Sequence, residues 1–267
     1  MSKIRLDVLL TQRGLFESRA RAAAAVLAGD VRLLPGRERV QKPGQMVAQD
    51  AEVEVAQAQA FASRGGVKLA NALDAFGLEI GGARALDVGA STGGFTDCLL
   101  QRGAEHVVAL DVAYGELSWK LREDARVTVL ERCNARTLKP ADLPYAPTVI
   151  VIDVSFISLT KVLPAELACA ATPRFDCLAM IKPQFEVGRE RVGKGGVVRE
   201  ARSRREALVG IAGFAMAELD VAVLAFASSG LPGPKGNRET FVWLAEAGRA
   251  EGIAYGELET AALAVEP

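Results

Sequence analysis

Short apolar runs alternate with helical stretches along most of the chain after residue 65. The apolar runs predict strands at residues 85–88, 106–110, 127–130, 148–152, 178–181 and 221–227. Stretches with helical spacing separate them, near residues 68–77, 94–102, 115–122, 159–171 and 200–218. Strands that are apolar throughout and alternate with helices are typical of a parallel sheet covered on both faces. The pattern therefore predicts an α/β fold with a Rossmann-like, doubly wound and mostly parallel sheet.

One more strand is predicted around residues 240–244, after the segment LPGPKGN. Its prolines and glycines favour a tight connection between two strands. Adjacent strands joined in this way run antiparallel. We therefore expect the last strand to be antiparallel to its neighbour.

The first 60 residues have a different pattern. Leu6, Leu9 and Leu10 have helical spacing, and a second helix is expected over residues 19–27, with Ser18 as its N-cap and Gly29 at its end. Residues 31–34 and 52–55 read as strands, and the alternating Ala and Gln of residues 56–60 read as a linker. The sequence therefore predicts a small α+β domain in front of the larger α/β domain.

Charge is distributed unevenly between these two parts. Residues 1–42 contain nine basic and four acidic side chains, whereas the remainder has 23 basic and 29 acidic ones. A basic block on a mildly acidic body suggests a module that binds a polyanion, although a solvated charged surface would give the same composition. Arg19 and Arg21 lie in the first turn of the second helix, where the helix dipole favours acids, so we expect them to serve a partner.

The segment ALDVGASTGGF suggests a cofactor-binding loop between a strand and a helix. Asp87 ends the strand, glycines let the backbone approach a ligand, and Asp111 ends the following strand, where a carboxylate can reach both hydroxyls of a ribose. Asp87, before a loop that reads GASTGG rather than GxGxxG, favours S-adenosylmethionine over a nicotinamide dinucleotide, which remains the alternative, and Asp87 could instead cap the turn. Asn134 is a weaker candidate for a contact with the adenine or methionine part of the cofactor. It could equally be a simple turn residue. The predicted cofactor residues are Asp87, Gly89, Ser91, Thr92, Gly93, Gly94, Phe95, Asp111 and Asn134.

Three further polar residues, Asp153, Lys182 and Glu239, are expected at the carboxyl edge of the sheet, where ligands bind in such folds. A fourth, Lys68, opens the helix that precedes the first strand of this sheet. A methyl donor is already activated, so the protein must mainly position it and deprotonate the acceptor hydroxyl. Lys182 is the candidate base, because burial and a second cation help a lysine to lose its proton. Taken singly, each residue could also be an ordinary salt-bridge partner.

A second basic segment, FEVGRERVGKGGVVRE, lies at residues 185–200 and is rich in glycine. It suggests a mobile loop over the active site that contacts phosphates, with a flexible surface loop as the alternative. The predicted RNA-binding residues of both basic segments are Arg5, Arg19, Arg21, Arg32, Arg189, Arg191 and Lys194.

Other chemistries are disfavoured by what the sequence contains. The one histidine, His106, lies at a strand start and suggests a structural role rather than a metal site or a triad. The four cysteines form no CxxC pair and predict reduced thiols in a cytoplasmic protein, with no metal bound. No secretion signal is recognisable, and no uncharged run reaches the roughly 18 residues of a membrane span.

The motifs together resemble one protein family over nearly the whole chain. RLDVLL, GLFESRARA and LAGDVR are similar to the RNA-binding fold named after ribosomal protein S4. SRGGVKL, LDVGASTGGFTDCLLQRGA, IDVSFISL, IKPQFEVG, KGGVV and LPGPKGN follow in order. The chain thus resembles the TlyA (haemolysin-A) family of bacterial rRNA 2′-O-methyltransferases within the FtsJ-like group.

This resemblance implies a domain plan and an activity. The S4-type domain would occupy residues 1–58, the linker 59–64 and the methyltransferase domain 65–267. The FtsJ-like K-D-K-E tetrad maps onto Lys68, Asp153, Lys182 and Glu239. The expected substrate is a cytidine ribose 2′-hydroxyl of 23S rRNA, with 16S rRNA left open, and ribosomal subunits are the expected partners.

One departure from the family and two rival functions remain. Longer members carry an RxWV-like tetrapeptide in the linker, where this chain has Gln59, Ala60, Phe61 and Ala62, so any coupling through the linker is in doubt. The alternatives are a non-catalytic ribosome-binding or assembly factor and a membrane-perforating haemolysin. A monomer is compatible with the sequence, which leaves the oligomeric state open.

Overall fold

The computed structural model describes residues 2–36, 38–40, 42–55 and 60–266. Contacts between Cα atoms divide the chain into two compact units, residues 1–59 and residues 60–267. Residues 56–59, which belong to the stretch read as a linker, lie outside the described residues. Each unit has a buried apolar core of its own.

The described residues of the first unit form two helices and two small antiparallel sheets. In chain order its elements are β1 (Lys3–Arg5), α1 (Leu6–Gln12), α2 (Arg19–Ala28), β2 (Val31–Leu33), β3 (Glu38–Arg39), β4 (Met46–Ala48) and β5 (Val53–Val55). β1 pairs with β4, and β2 lies between β3 and β5. Ser18 accepts a hydrogen bond from the Arg21 N–H at the start of α2, and Gly29 ends this helix in a left-handed conformation, as the sequence predicts.

The second unit is built on one large sheet with helices. Its strands are β6 (Arg84–Val88), β7 (His106–Asp111), β8 (Val127–Glu131), β9 (Val149–Ile152), β10 (Asp176–Ile181), β11 (Val221–Ser228) and β12 (Thr240–Glu246). Its helices are α3 (Arg64–Phe76), α4 (Gly94–Gln101), α5 (Trp119–Arg122), α6 (Leu163–Leu167), α7 (Pro183–Glu186), α8 (Ala201–Glu218) and α9 (Leu258–Val265).

The strand order of this sheet is β11-β12-β10-β9-β6-β7-β8. β12 is antiparallel to both neighbours, and the other pairings are parallel, which confirms the predicted fold class and the direction of the last strand. After β6 the chain proceeds to β7 and β8 on one side, and from β9 it proceeds to the other side. Such a reversal opens a crevice at the carboxyl ends of the central strands, where ligands bind in sheets of this kind.

The helices differ from the prediction in several places. The stretch 159–171 is not one helix but a 3₁₀ turn, Leu159–Lys161, followed by α6, because Pro164 lies in the first turn of α6 and lacks an N–H. Only Trp119–Arg122 of the stretch 115–122 is helical, since Gly115 has a φ of +78°. The sequence also missed α9 and the short strands β1, β3 and β4, which have no extended apolar run.

Both faces of the large sheet are covered by apolar side chains. One core cluster includes residues of α6, α8 and α9, and the other includes residues of α3 and α4. This arrangement leaves the strand ends free to carry polar side chains. Among the described residues, no helix has both the length and the apolar character that crossing a membrane requires.

Candidate active site

Asp87 is a fully buried carboxyl group at the end of β6. Its Oδ2 accepts a hydrogen bond of 2.6 Å from the Thr96 hydroxyl, whereas its buried Oδ1 has no hydrogen-bond partner among the described residues. Burial, and to a smaller extent the nearby charge of Asp153, raise the pKa of Asp87 to about 7. A buried carboxyl oxygen without a partner is costly and marks a place where a further donor is needed.

Asp111 ends the neighbouring strand β7 and is held in place by two backbone groups. Its Oδ2 accepts a hydrogen bond of 2.7 Å from Ser91 N–H, and its Oδ1 accepts one of 2.8 Å from Ala113 N–H. A small pocket next to it is lined by Ala90, Ser91, Glu116 and Leu117, among others. The carboxylate is therefore oriented in advance beside an opening at the sheet edge.

The glycines of the predicted cofactor loop are required mainly by contacts within the protein. A Cβ atom at Gly89 would lie 2.5 Å from the Asp153 carbonyl oxygen, and one at Gly93 would lie 2.2 Å from Leu121 Cδ1. At Gly94 a Cβ atom would clash with Ser63 Oγ. Gly89 and Gly93 also have φ values of +85° and +93°. The sequence suggests that these glycines allow the close approach of a ligand. The packing of the loop is a stronger reason for glycine at these positions.

The remaining predicted cofactor residues have different surroundings. Ser91 has a φ of +48°, and its hydroxyl donates to Glu116 Oε2 at 3.3 Å. The Thr92 carbonyl oxygen accepts a hydrogen bond of 3.3 Å from Ser118 N–H. Phe95 is buried with its ring centroid 5.8 Å from that of Phe241, which makes it part of the core. Asn134 caps a 3₁₀ turn by accepting a hydrogen bond from Arg136 N–H, the turn role that the sequence left open.

Lys182 and Asp153 form one lysine–carboxylate pair at the carboxyl edge. Lys182 directly follows β10 and Asp153 directly follows β9, and these two strands are parallel neighbours. The Lys182 Nζ lies 2.6 Å from Asp153 Oδ1 and donates to Ser155 Oγ at 2.8 Å. The Lys182 side chain is buried, whereas the Asp153 side chain is 24% exposed, so this pair is only partly shielded from water.

Lys68 and Glu239 form a second, more deeply buried pair. Lys68 lies in α3, whose N-terminus is capped by Ser63, and its ammonium binds the Glu239 carboxylate. The side chains are 8% and 2% exposed, respectively. Two charges are retained in such a place only when each has its partner, because an unpaired buried charge is strongly unfavourable.

Sheet register brings the two pairs to the same edge. Ile181 of β10 lies opposite Thr240 of β12, so Lys182 and Glu239 are the next residues along this ladder. Asp153 N–H donates to the Val88 carbonyl oxygen at 2.9 Å, which ties the Lys182 partner to the strand that carries Asp87. The structure thus brings the four predicted catalytic residues and the cofactor loop to one edge of the sheet.

Phe156 is a site residue that sequence reasoning missed. It is 90% exposed and has a φ of +65°, a backbone conformation that residues other than glycine rarely adopt. Its ring centroid lies 5.3 Å from that of Phe185, and the two residues follow Asp153 and Lys182 closely in sequence. An exposed aromatic ring in a strained backbone beside buried charges suggests a functional constraint. The feature of the sequence that could have indicated it is the aromatic residue within IDVSFISL, three positions after Asp153.

The predicted RNA-binding arginines of the first unit are oriented by a buried acid. Asp7 Oδ2 lies 2.9 Å from Arg5 Nη2 and 3.2 Å from Arg19 Nη2. The hydrogen bond from Arg5, followed by that from Arg19, lowers the pKa of Asp7 to about 2. Arg19 therefore has a partner inside its own domain, although its side chain stays 59% exposed. Arg21 approaches Glu17 at 4.0 Å, and Arg32 is exposed.

The basic segment 185–200 contains defined structure. Residues Arg189–Arg191 form a 3₁₀ turn, and Gly193 pairs with Val197 in an isolated bridge. Arg191 binds the Glu206 carboxylate of α8, whereas the side chains of Arg189 and Lys194 are exposed. Its exposed cations remain available at the surface.

His106 and the cysteines lie apart from this chemistry. The His106 Nδ1 is 3.0 Å from the Tyr145 hydroxyl at the start of β7, the opposite edge of the sheet. Burial lowers the pKa of His106. The four cysteines are free, and Cys133 is only half-buried. Within the described ranges, no group of three or more His, Cys, Asp and Glu side chains is arranged to hold a metal ion.

The sheet order, the single antiparallel strand of the large sheet and the acids at the ends of β6 and β7 define a methyltransferase with a class I, Rossmann-like fold. Residues 61–246 match the family described as FtsJ-like methyltransferase. The chain belongs to this family, and within it to the TlyA (haemolysin A) group of rRNA methyltransferases.

Three similar proteins illustrate this relationship. A Mycobacterium tuberculosis protein named 16S/23S rRNA (cytidine-2′-O)-methyltransferase TlyA is 47% identical, over 91% of this chain and 90% of its own. Hemolysin A of Brachyspira hyodysenteriae is 41% identical over 77% of this chain and 85% of its own. A solved structure named as a hemolysin from Streptococcus thermophilus has a TM-score of 0.73 and 37% identity, covering 99% of this chain and 96% of its own.

Proposed function

We propose that this protein transfers a methyl group from S-adenosylmethionine to a cytidine ribose 2′-hydroxyl of ribosomal RNA. The observation that carries the proposal is the pair of buried lysine–carboxylate contacts at the sheet edge next to the cofactor loop. The M. tuberculosis relative is named for this reaction on 16S and 23S rRNA, and it matches nearly the whole chain. We expect 23S rRNA to be a substrate, and the experiment below includes both ribosomal subunits.

The residues beside the loop fit S-adenosylmethionine. Asp111 is positioned to accept hydrogen bonds from ribose hydroxyls, and the unpartnered Oδ1 of Asp87 can accept one from a donor such as an amino group. When bound, S-adenosylmethionine supplies a methyl group activated by its positively charged sulfur. A nicotinamide dinucleotide would bring phosphates, which the carboxyl group of Asp87 disfavours, and the loop GASTGG lacks the GxGxxG pattern of dinucleotide-binding folds.

We assign the proton transfer to Lys182. Its amine accepts the proton of the 2′-hydroxyl, and the adjacent Asp153 carboxylate stabilises the ammonium group that forms. Ser155 fixes the direction of the lysine side chain through its hydrogen bond. Glu239 offsets the charge of Lys68, so this second pair contributes position and a balanced local charge.

The RNA is held by the basic surfaces. In the proposed S4-type domain, residues 1–58, Asp7 aligns the guanidinium groups of Arg5 and Arg19 for phosphates. The ring of Phe156 stacks on an unpaired base at the active site, as aromatic side chains do with single-stranded RNA. Buried paired charges favour this catalytic role over an assembly factor or a haemolysin, because neither rival function needs them.

The test is methyl transfer to ribosomal subunits by Lys182 variants. We expect Lys182→Ala to bind S-adenosylmethionine normally and to lose at least about 10²-fold in kcat, the usual scale of general base catalysis. Lys182→Arg should lose almost as much, because a guanidinium group stays protonated. An active Lys182→Arg enzyme would contradict the lysine-base mechanism, and a wild-type protein without transfer to either subunit would contradict the proposed function.

A further inference from the structure

Two glycine-rich segments meet behind Glu239. One is the connection between β11 and β12, residues 229–239, called the hairpin here, and the other is residues 193–198, called the KGGVV loop here. The hairpin leads directly into Glu239, whereas the KGGVV loop belongs to the basic segment 185–200. A Cβ atom added at Gly196 would lie 3.7 Å from Lys235 Cδ, so the two segments are in close contact.

Asn237 joins these segments with both ends of its amide. Its Oδ1 accepts a hydrogen bond of 2.9 Å from Val198 N–H, and its Nδ2 donates one of 2.7 Å to the Gly196 carbonyl oxygen. Asn237 is 3% exposed, so neither bond competes with bulk water. The Asn237 amide thus satisfies backbone groups of the KGGVV loop in the way that a neighbouring strand would.

The same residue supports the backbone that surrounds Glu239. The Asn237 carbonyl oxygen accepts a hydrogen bond of 2.8 Å from Gly233 N–H, which closes the hairpin. Gly233 packs against the Glu239 carboxylate so closely that a Cβ atom there would lie 2.5 Å from Glu239 Oε1. Ser229 N–H also donates to the Glu239 carbonyl oxygen at 3.0 Å. The position of the Glu239 carboxylate thus follows the position of the hairpin.

The KGGVV loop is itself firmly anchored on its other side. Arg204 of α8 donates to the carbonyl oxygens of Val198 and Arg199 at 3.2 and 2.7 Å. Arg204 binds the Glu266 carboxylate, to which Arg238 donates at 3.1 Å. The loop can therefore act as a fixed support against which Asn237 holds the hairpin.

We infer that Asn237 is a positioning residue for methyl transfer, which holds the Glu239 carboxylate against Lys68 by fastening the hairpin to the KGGVV loop. This inference rests on the proposed function. Lys194, a proposed RNA contact, lies in the same loop, so one side chain links the surface that binds substrate to the catalytic tetrad.

A double-mutant cycle tests the inference. Asn237→Ala should lower kcat about tenfold or more with little change in KM, because small displacements in an active site are costly. In a Glu239→Gln background the same substitution should cost less than about twofold, since residues that act through one another are not additive. Asn237→Asp, which keeps the acceptor for Val198 but turns an oxygen toward the Gly196 carbonyl, should fall in between.

Tyr145→Phe is the matched control. It removes partly buried hydrogen bonds to the carbonyl oxygens of Ala85 and His106, at the opposite edge of the sheet. It should lower stability in the manner of Asn237→Ala and leave kcat per folded molecule unchanged. Equal kcat losses from Asn237→Ala in both backgrounds, or an unchanged kcat, would overturn the inference.

A second readout does not depend on activity. In nitrogen-15 NMR spectra the paired Lys68 ammonium should exchange its protons slowly in the wild type and in Tyr145→Phe, and rapidly in Asn237→Ala. An unchanged Lys68 signal in folded Asn237→Ala would overturn the inference even if no substrate were methylated. Absence of methyl transfer by the wild type would instead contradict the proposed function alone.

Discussion

Individual side chains at the sheet edge are arranged at the expense of stability. Lys68 and Glu239 are almost completely buried as an ion pair, and such pairs are often no more stabilising than apolar residues of the same size. Removing one partner leaves an isolated buried charge, which costs about 3–5 kcal/mol. Stability alone does not require this pair beside Lys182 and Asp153, which agrees with the catalytic role that we propose for it.

Asp111 gives a direct test of the cofactor assignment. Asp111→Ala should weaken S-adenosylmethionine binding by about 1–3 kcal/mol, the range for hydrogen bonds to a charged group, as measured by calorimetry. Asp74→Ala removes a surface carboxylate that is 63% exposed and should leave this affinity unchanged. Equal affinities of the wild type and Asp111→Ala, or binding of NAD, would contradict the assignment.

Phe156 tests how the acceptor nucleotide is held. Phe156→Ala should weaken RNA binding by about 1–3 kcal/mol, the usual contribution of one base stacked on an aromatic ring, and raise KM for ribosomal subunits. Phe156→Trp should retain most of the RNA affinity of the wild type, because it preserves a stacking surface. Leu263→Ala, at another exposed apolar residue, serves as the control. An unchanged KM in Phe156→Ala would exclude stacking on this ring.

For single residues, the sequence predicted the positions of polar residues at strand ends better than those of residues in loops. Asp87, Asp153 and Lys182 were identifiable because a polar residue after an apolar strand must lie at the sheet edge. The left-handed φ of Phe156 and the buried amide bridge of Asn237 could not be predicted, since both depend on chain segments distant in sequence.

Secondary-structure elements set the directions of the functional groups. β12 runs antiparallel to β10, so the residue preceding β12 meets the residue following β10, and Glu239 joins Lys182 at one edge. A parallel β12 would place its N-terminal end at the opposite edge of the sheet. The hairpin of glycines and prolines therefore determines whether the tetrad can assemble.

Helix α6 contains a second buried carboxyl group, and it should make stability depend on pH. Burial raises the pKa of Glu166 to about 8, and neither carboxyl oxygen has a hydrogen-bond partner among the described residues. The folded protein therefore keeps a proton here that the unfolded chain loses above its ordinary value of 4.5. This contribution is complete below the ordinary value and is lost as the pH rises through about 8, by at most about 1.4 kcal/mol per pH unit.

Denaturant unfolding of the wild type and Glu166→Gln at several pH values measures this effect. The difference in unfolding free energy should change in favour of the variant by a few kcal/mol between acid and alkaline pH. Asp87 titrates in the same range but is present in both proteins, so its contribution cancels. A difference that does not change with pH would show that Glu166 is not held protonated.

The boundaries of helices were predicted well where capping residues mark them and poorly where only apolar spacing was available. Ser18 and Gly29 bounded α2 correctly because capping residues act on the adjacent turn. The stretch 159–171 was read as one helix, because apolar spacing alone does not show that a proline and a 3₁₀ turn divide it. Helix α9 was missed although it packs near α8 and β11.

The molecule as a whole combines a basic unit with a catalytic one. Of the two compact units, the first contains the proposed phosphate contacts of Arg5 and Arg19, and the second contains the tetrad, the cofactor loop and the basic segment 185–200. This division corresponds to the charge asymmetry along the sequence. Phosphate contacts supply affinity that decreases with salt, whereas the stacking proposed for Phe156 would not depend on ionic strength in this way.

The central claim is that the methyl group goes to a ribose 2′-hydroxyl of ribosomal RNA. The measurement is transfer from S-adenosylmethionine carrying a labelled methyl group to isolated subunits from cells that lack the modification, followed by alkaline hydrolysis of the rRNA. A 2′-O-methyl group removes the nucleophile that cleaves the adjacent phosphodiester, so the label should remain in one alkali-resistant dinucleotide that begins with cytidine. Lys182→Ala should transfer label at least about 10²-fold more slowly. Label recovered in ordinary mononucleotides, on a base, would contradict the account.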